Sequence, residues 1–140
     1  MEDKAHYRLD EQVGYLLRLA SQRHAVIFQN QISEGLTPTQ FSTLIRVADE
    51  GAVSQNQLGR LAAMDIATIK GVVDRLKSKG LLQTDSDPHD KRRSIISLTS
   101  AGKELMQQLY SDGTAISNET LAPLKLAEQK TLISLLKKLS

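Results

Sequence analysis

The sequence predicts a mainly helical α+β protein with the element order α-α-α-α-β-β-α-α. Apolar residues recur every three or four positions along most of the chain, and helix-capping sequences precede several of these stretches. Only after Gly80 does the pattern change to short, strand-like runs. A length of 140 residues, 40% of them hydrophobic and 24% charged, suits one globular domain with appended helices.

The first two predicted helices are separated by a glycine. The first runs from about Leu9 to Ile32, with apolar side chains along one face, and Gly35 then stops it. Thr37 begins the next helix as its N-cap. Pro38 suits the first helical position, and Gln40 completes a capping box.

Two shorter helices follow, and each has its own start signal. Ser54 and Gln57 form a second predicted capping box, and Asp65 caps the next helix after a break of about three residues. Gly80 ends that helix. Its buried face is predicted to hold four apolar residues: Ile66, Ile69, Val73 and Leu76.

A β-hairpin and two further helices complete the predicted order. The strands are expected at residues 81–85 and 93–98, on either side of a polar loop at 86–93. Thr99 is the expected N-cap of a helix that runs to about Asn118, and the last helix covers residues 126–139.

Composition and short motifs exclude several classes of protein. The absence of cysteine removes disulfides, thiolate metal sites, cysteine nucleophiles and thiol redox sensing. His6, His24 and His89 are far apart in sequence, so no metal site is expected. No nucleophile elbow, phosphate-binding loop, dinucleotide fingerprint or metal motif is present, so we expect neither an enzyme nor a bound cofactor.

The chain also lacks the signals of a membrane or secreted protein. No apolar run approaches the roughly 20 residues of a membrane span. The start, Met1–Lys4, is polar and does not look like a signal peptide. We therefore expect a cytoplasmic protein without a membrane partner.

Two short capped helices followed by a hairpin form a winged helix-turn-helix pattern, which suits DNA because the major groove admits one α-helix. The second helix exposes small residues near its start, and Arg75 can reach guanine or phosphate. Between Arg60 and Arg93 there are eight basic and five acidic residues, a net charge of +3, against +2 for the whole chain. The positive charge therefore lies on the part predicted to bind DNA.

These segments together resemble the MarR family of bacterial transcription regulators, and the likeness covers nearly the whole chain in the right order. Its most specific element is the D-P-x-D-x-R loop that leads into L-T-x-x-G. The matching runs are Gly35–Phe41, Ser54–Gly59, Met64–Leu76, Gly80–Leu82, Asp87–Arg93 and Leu98–Gly102.

The resemblance implies a homodimeric regulator, usually a repressor, that binds a pseudo-palindromic operator and associates with the nucleoid when bound to DNA. Residues 1–35 and 100–140 would dimerise, and residues 36–99 would form the winged domain. The sequence supports dimerisation independently, because the long first helix and the Leu-rich last helix are too apolar for one small domain to bury.

In this family the arginine of D-x-R, here Arg92, acts at the wing. It would enter the minor groove or brace against Asp90. Alternatively, the two residues form only a structural ion pair that holds the turn. The full set of predicted DNA-binding residues is Ser54, Gln55, Gln57, Ala67, Thr68, Lys70, Gly71, Arg75, Asp90, Lys91, Arg92 and Arg93.

Many relatives of this kind bind small aromatic acids, so the resemblance also implies an aromatic or heteroaromatic carboxylate as effector. Arginine and aromatic side chains suit such a ligand. The alternatives are that His24 is a hydrogen-bonded core residue, that the arginines are solvent-exposed or ion-paired, and that the protein binds DNA constitutively without a ligand. The candidate ligand-binding residues are Tyr15, Arg18, His24, Phe28, Phe41, Arg46 and Met64.

Overall fold

The computed structural model describes residues 6–140, so the polar start Met1–Lys4 lies outside the described residues. It confirms the mainly helical α+β fold, with one strand more than predicted. In chain order the elements are α1 (Val13–Gln31), α2 (Pro38–Glu50), β1 (Ala52–Ser54), α3 (Gln55–Leu61), α4 (Ile66–Ser78), β2 (Leu82–Asp87), β3 (Asp90–Leu98), α5 (Ser100–Leu121) and α6 (Leu126–Leu139).

The chain divides into two compact units. The central unit is Ile32–Asp112, and the terminal unit combines the chain up to Gln31 with Gly113–Ser140. Helix α5 contributes residues to both units. Among residues 6–140, no helix combines the length and the apolar character needed to cross a membrane.

Side-chain hydrogen bonds cap the N-termini of α2 and α3, with Thr37 and Ser54 as the N-cap residues. Thr37 Oγ1 accepts a hydrogen bond from Gln40 N at 3.2 Å, and Gln40 Oε1 accepts one from Thr37 N at 3.0 Å, which confirms the capping box. Ser54 Oγ accepts from Gln57 N at 3.3 Å. The structure shows no hydrogen bond from the Ser54 backbone N–H to the Gln57 side chain. The N-cap at Ser54 is therefore confirmed, but the full capping box is not.

Two further caps lie at the starts of α4 and α5. Asp65 Oδ1 accepts from Thr68 N at 2.7 Å, and this bond holds the pKa of Asp65 below its ordinary value because it favours the charged carboxylate. Thr99 Oγ1 accepts from Gly102 N at 3.0 Å and donates to the Gly80 carbonyl at 2.6 Å. The start of α5 is thus fastened to the end of the turn that follows α4.

The sheet has three antiparallel strands in the order β1-β3-β2, so β3 is central. Val53 pairs with Ile96 on one side, and Leu82 pairs with Leu98 on the other. Strand β1 is not predictable from the sequence pattern, because its three residues are too few to show the alternation that marks a strand. The addition places the start of α3 beside the base of the wing.

The hydrophobic core of the central unit lies between α2, α3, α4, the sheet and the first part of α5. On α4 it contains Ile69, Val73 and Leu76, as predicted, and also Val72. The prediction that Ile66 is buried was wrong, since it is 65% exposed. A helical stripe is covered only where another element lies against it, and Ile66, the first residue of α4, lacks such cover, whereas Ile69 is fully buried.

Candidate nucleic-acid interface

Helix α4 presents a polar, small-residue face to solvent. Ala67, Thr68, Lys70 and Arg75 are exposed, and Gly71 is partly exposed. Most of these residues lie in the first two turns of the helix, where a helix that enters the major groove meets the base edges. Their positions are those required of a recognition helix.

The charged side chains of α4 already interact with each other. Lys70 Nζ lies 3.2 Å from Asp74 Oδ2, an exposed i,i+4 pair of small energetic value. The Arg75 guanidinium lies over Gly71, where it would be 3.7 Å from an added β-carbon. Both cations remain exposed and can turn toward phosphate or a base.

The wing is the hairpin of β2 and β3, and its tip carries the D-x-R pair. Asp90 Oδ1 accepts from Arg92 N at 3.0 Å and from Arg92 Nε at 3.3 Å. The Arg92 side chain is nevertheless 92% exposed. The ion pair therefore exists, and it leaves the guanidinium accessible, so bracing and DNA contact are compatible.

A polar concavity of about 220 Å³ lies between the start of α3 and the first half of β3 in the wing. Ser54, Gln55 and Asn56 line one side, and Arg92, Arg93 and Ser94 line the other. Sequence reasoning missed Asn56 and Ser94, because the concavity depends on the pairing of β1 with β3. An array of amide, hydroxyl and guanidinium groups suits a phosphate backbone.

Ser54 differs from the other residues predicted to bind DNA. It is buried, with 6% of its surface exposed, and its hydroxyl caps α3. Gln55, Gly71 and Asp90 are partly buried. The exposed members of the predicted set are Gln57, Ala67, Thr68, Lys70, Arg75, Lys91, Arg92 and Arg93.

The candidate ligand-binding residues fall in both units, and Tyr15, Arg18, His24 and Phe28 belong to the terminal one. Arg18 Cζ lies 5.5 Å from the centre of the Tyr15 ring, a cation–π arrangement. Arg18 makes no ion pair with any residue that the structure describes. The His24 and Phe28 rings are 6.5 Å apart at their centres.

His24 is partly buried, and the hydrogen bonds around it indicate its tautomer. Its Nδ1 lies 2.8 Å from Thr120 Oγ1, whose hydroxyl donates to the Ile116 carbonyl at 2.8 Å. Because that hydroxyl proton is used, Thr120 accepts from Nδ1–H, and Nε2 is an acceptor whenever the ring carries no second proton. Arg23 donates to the carbonyl oxygens of Glu119 and Thr120, so it fastens α1 to α5.

Phe41, Arg46 and Met64 belong to the central unit. Phe41 and Met64 are partly buried and pack against the core, whereas Arg46 is exposed. No cluster of three or more His, Asp or Glu residues within 6–140 could hold a metal ion.

Comparison with known proteins identifies the family. The MarR family model matches residues 36–94. The chain is 41% identical to the HTH-type transcriptional repressor NicR of Pseudomonas putida over 138 residues, which are 98% of this chain and 87% of that protein. The chain belongs to the MarR family. It is a transcriptional regulator of this family with the winged helix fold, and the predicted resemblance is confirmed.

Solved structures of MarR-type regulators agree with this assignment. The Bordetella bronchiseptica regulator BpsR, whose DNA binding is regulated by 6-hydroxynicotinic acid, is 39% identical and superposes with a TM-score of 0.88 over 95% of this chain and 96% of that one. A mutant of Escherichia coli MarR complexed with operator DNA is 26% identical, with a TM-score of 0.83 over 91% of this chain and 92% of that one.

Proposed function

We propose that this MarR-family regulator is a homodimeric repressor that binds a pseudo-palindromic operator and is released from it by a small aromatic or heteroaromatic carboxylate. The observation that carries the proposal is the surface of the central unit, where the small-residue face of α4 and the exposed wing arginines combine. In this proposal the regulator acts in the bacterial cytoplasm and is nucleoid-associated when bound to DNA.

The surface of the central unit has what DNA recognition requires. Exposed Ala67, Thr68 and partly exposed Gly71 let α4 approach base edges closely, and Lys70 and Arg75 supply donors for phosphate or guanine. The wing adds exposed cations that can reach the neighbouring minor groove. The operator complex of the E. coli relative supports the same use of this fold.

The terminal unit supports the proposal of a homodimer. It exposes apolar side chains along α1 and α6 that a solitary chain would leave in water, and large exposed patches of this kind mark protein interfaces. Two copies that pair these helices would bury them and would place two winged units on one duplex. Tyr7 and Leu9, which precede α1, are exposed as well. The exposed residues of the two helices are Val13, Leu16, Leu17, Leu19, Val26, Leu126, Leu132, Ile133, Leu135, Leu136 and Leu139.

Arg18 and His24 support an aromatic carboxylate as the effector. Arg18 is a cation beside an aromatic ring, and the Nε2 acceptor of His24 can receive a ring N–H or hydroxyl donor. 6-Hydroxynicotinic acid, which regulates the DNA binding of BpsR, has both a carboxylate and a ring hydroxyl or N–H donor. Contacts from Tyr15, Phe28, Phe41, Arg46 and Met64 remain predictions, as does the ligand-free constitutive alternative.

Selection of DNA from a random-sequence pool, followed by fluorescence anisotropy, tests the proposal. We expect one palindromic sequence to be enriched and bound at a ratio of two chains per duplex. Light scattering checks that the free protein is a dimer. A pool without enrichment, or a monomeric protein, would contradict the DNA and dimer parts of the proposal.

The effector is tested by titrating 6-hydroxynicotinic, nicotinic and benzoic acids into the protein–DNA complex. We expect at least one acid to release DNA, because a ligand that favours the unbound conformation lowers DNA affinity reciprocally. Arg18→Ala should weaken the response, whereas Arg8→Ala, which replaces an exposed arginine that precedes α1, should not. If no acid changes DNA affinity, the result contradicts an effector of this kind and favours the constitutive alternative.

A further inference from the structure

Ile66 is an apolar side chain in an unexpected place. It is 65% exposed, although isoleucine is usually buried. In the central unit, Ile32–Asp112, the only other large apolar side chain with comparable exposure is Tyr110, at 43%. The many exposed apolar residues of α1 and α6 belong to the terminal unit, so Ile66 is not part of that set.

The position of Ile66 is defined by the cap of α4. It is the first residue of the helix and directly follows the N-cap Asp65. It lines a concavity of about 260 Å³ with Asn56 and Arg60 of α3. Its next neighbours along the helix, Ala67 and Thr68, are exposed and small, so they leave the Ile66 side chain prominent.

The chemistry of the major groove gives this side chain a partner. Thymine is the base with a C5-methyl group there, and apolar side chains recognise it by direct contact. The first residues of a recognition helix are those that meet base edges. We propose that Ile66 is a specificity-determining residue that packs on the methyl group of one thymine in each half-site. This inference rests on the proposed DNA-binding function.

The test compares thymine with uracil, which differs only by that methyl group. The probe is the duplex enriched from the random pool by the wild-type protein, with each thymine replaced in turn by deoxyuridine. For the wild type we expect one position per half-site at which uracil weakens binding by about threefold to fivefold, the value of one buried methyl group. Ile66→Ala removes the contact from both half-sites of the dimer, so it should bind the thymine duplex about ninefold to 25-fold more weakly. It should not distinguish uracil at that position.

Two controls separate this effect from general damage. Tyr110→Ala truncates the other exposed apolar side chain of the central unit and should keep the full sensitivity to uracil. Light scattering and thermal unfolding should show that Ile66→Ala is as dimeric and as stable as the wild type, since an exposed side chain contributes little to the core. A dimer weakened by Ile66→Ala would mean that Ile66 contacts a second copy instead, and would overturn the proposal.

The outcomes distinguish this inference from the function on which it rests. If the pool yields no enriched sequence, sequence-specific binding fails and the role of Ile66 fails with it. If a sequence is enriched but no position is sensitive to uracil, only the inference is overturned. Only the inference is overturned, too, if Ile66→Ala keeps the wild-type ratio of affinities for the thymine duplex and the uracil duplex.

Discussion

The α-carbon of Gly102, in the first turn of α5, lies directly against the carbonyl oxygen of Leu81. A β-carbon at position 102 would collide with that oxygen and would also contact the Leu98 side chain. This contact explains why the L-T-x-x-G motif ends in glycine. It lets the first turn of α5 pack against the backbone at the start of the wing without a side chain between them.

Gly102→Ala should therefore lower the free energy of unfolding by about 2 kcal/mol or more, because the helix must shift away from the Leu81 backbone. Urea unfolding at a fixed protein concentration measures the change. Gly14→Ala in α1 is the matched control, since nothing lies within 4 Å of its added β-carbon. That variant should be unchanged or more stable by up to about 1 kcal/mol. Equal losses in the two variants would contradict the contact.

Arg92→Ala should weaken operator binding by at least about tenfold, because it removes the exposed guanidinium of the wing. Its stability should change by less than about 1 kcal/mol, since the pair with Asp90 is exposed. Asp90→Asn retains the guanidinium but removes the charge that braces it. If Asp90→Asn reduces the affinity for operator DNA as much as Arg92→Ala does, the pair acts by holding the turn. If Arg92→Ala leaves that affinity unchanged, Arg92 does not contact DNA.

Asp112 should make stability depend on pH. Its carboxylate is buried and accepts hydrogen bonds from Ser33 N at 2.9 Å and from Gln108 Nε2 at 2.7 Å. Burial alone would raise its pKa, but these hydrogen bonds outweigh it and hold the pKa below the ordinary value of 3.8. The folded state thus binds fewer protons than the unfolded state. The charged Asp112 carboxylate therefore gives its full stabilisation at pH values above its ordinary, unfolded-state pKa. This stabilisation is lost as the pH falls through the lower pKa of the folded state.

Asp112→Asn should remove this dependence and should cost about 1–2 kcal/mol at neutral pH, because an amide cannot accept at both of its atoms. Urea unfolding between about pH 6 and about pH 3 measures both effects. Glu104→Gln, at an exposed position of the same helix, is the control and should leave the pH profile unchanged. A profile in Asp112→Asn that parallels the wild type would assign the dependence to other groups.

Thr43→Val should raise the free energy of unfolding by about 1 kcal/mol. Thr43 is fully buried, and within the described part of the chain its Oγ1 has no hydrogen-bond partner. Valine has nearly the same shape without the hydroxyl. Thr43→Ser keeps the hydroxyl and removes the methyl group, so it should lower stability. Thermal and urea unfolding should rank the valine variant above the wild type and the serine variant below it, and a destabilised valine variant would show that the hydroxyl is satisfied.

The caps at Thr37, Asp65 and Thr99 were predictable from sequence because each depends on residues within three positions. The wing pair of Asp90 and Arg92 is equally local. Features that depend on distant parts of the chain were not predictable. The strand β1 exists because β3 lies beside it, and the exposure of Ile66 follows from which turn of α4 the core covers.

The candidate site also combines features that local sequence predicts with features that depend on distant parts of the chain. The charges of the wing and the small residues of α4 follow from the sequence pattern, whereas Asn56 and Ser94 join the site through the pairing of β1 with β3. The burial of Ser54 also depends on that pairing, because Ile95 of β3 lies beside it.

Ser54 is at once the last residue of β1 and the N-cap of α3, so no linker separates the sheet from the helix. An inserted or deleted residue here would shift the strand pairing and remove the cap in one event. Changes of chain length during evolution should therefore be rare at this junction. Regulators that share this junction would then diversify their operators by substitution, with the distance between wing and recognition helix held constant.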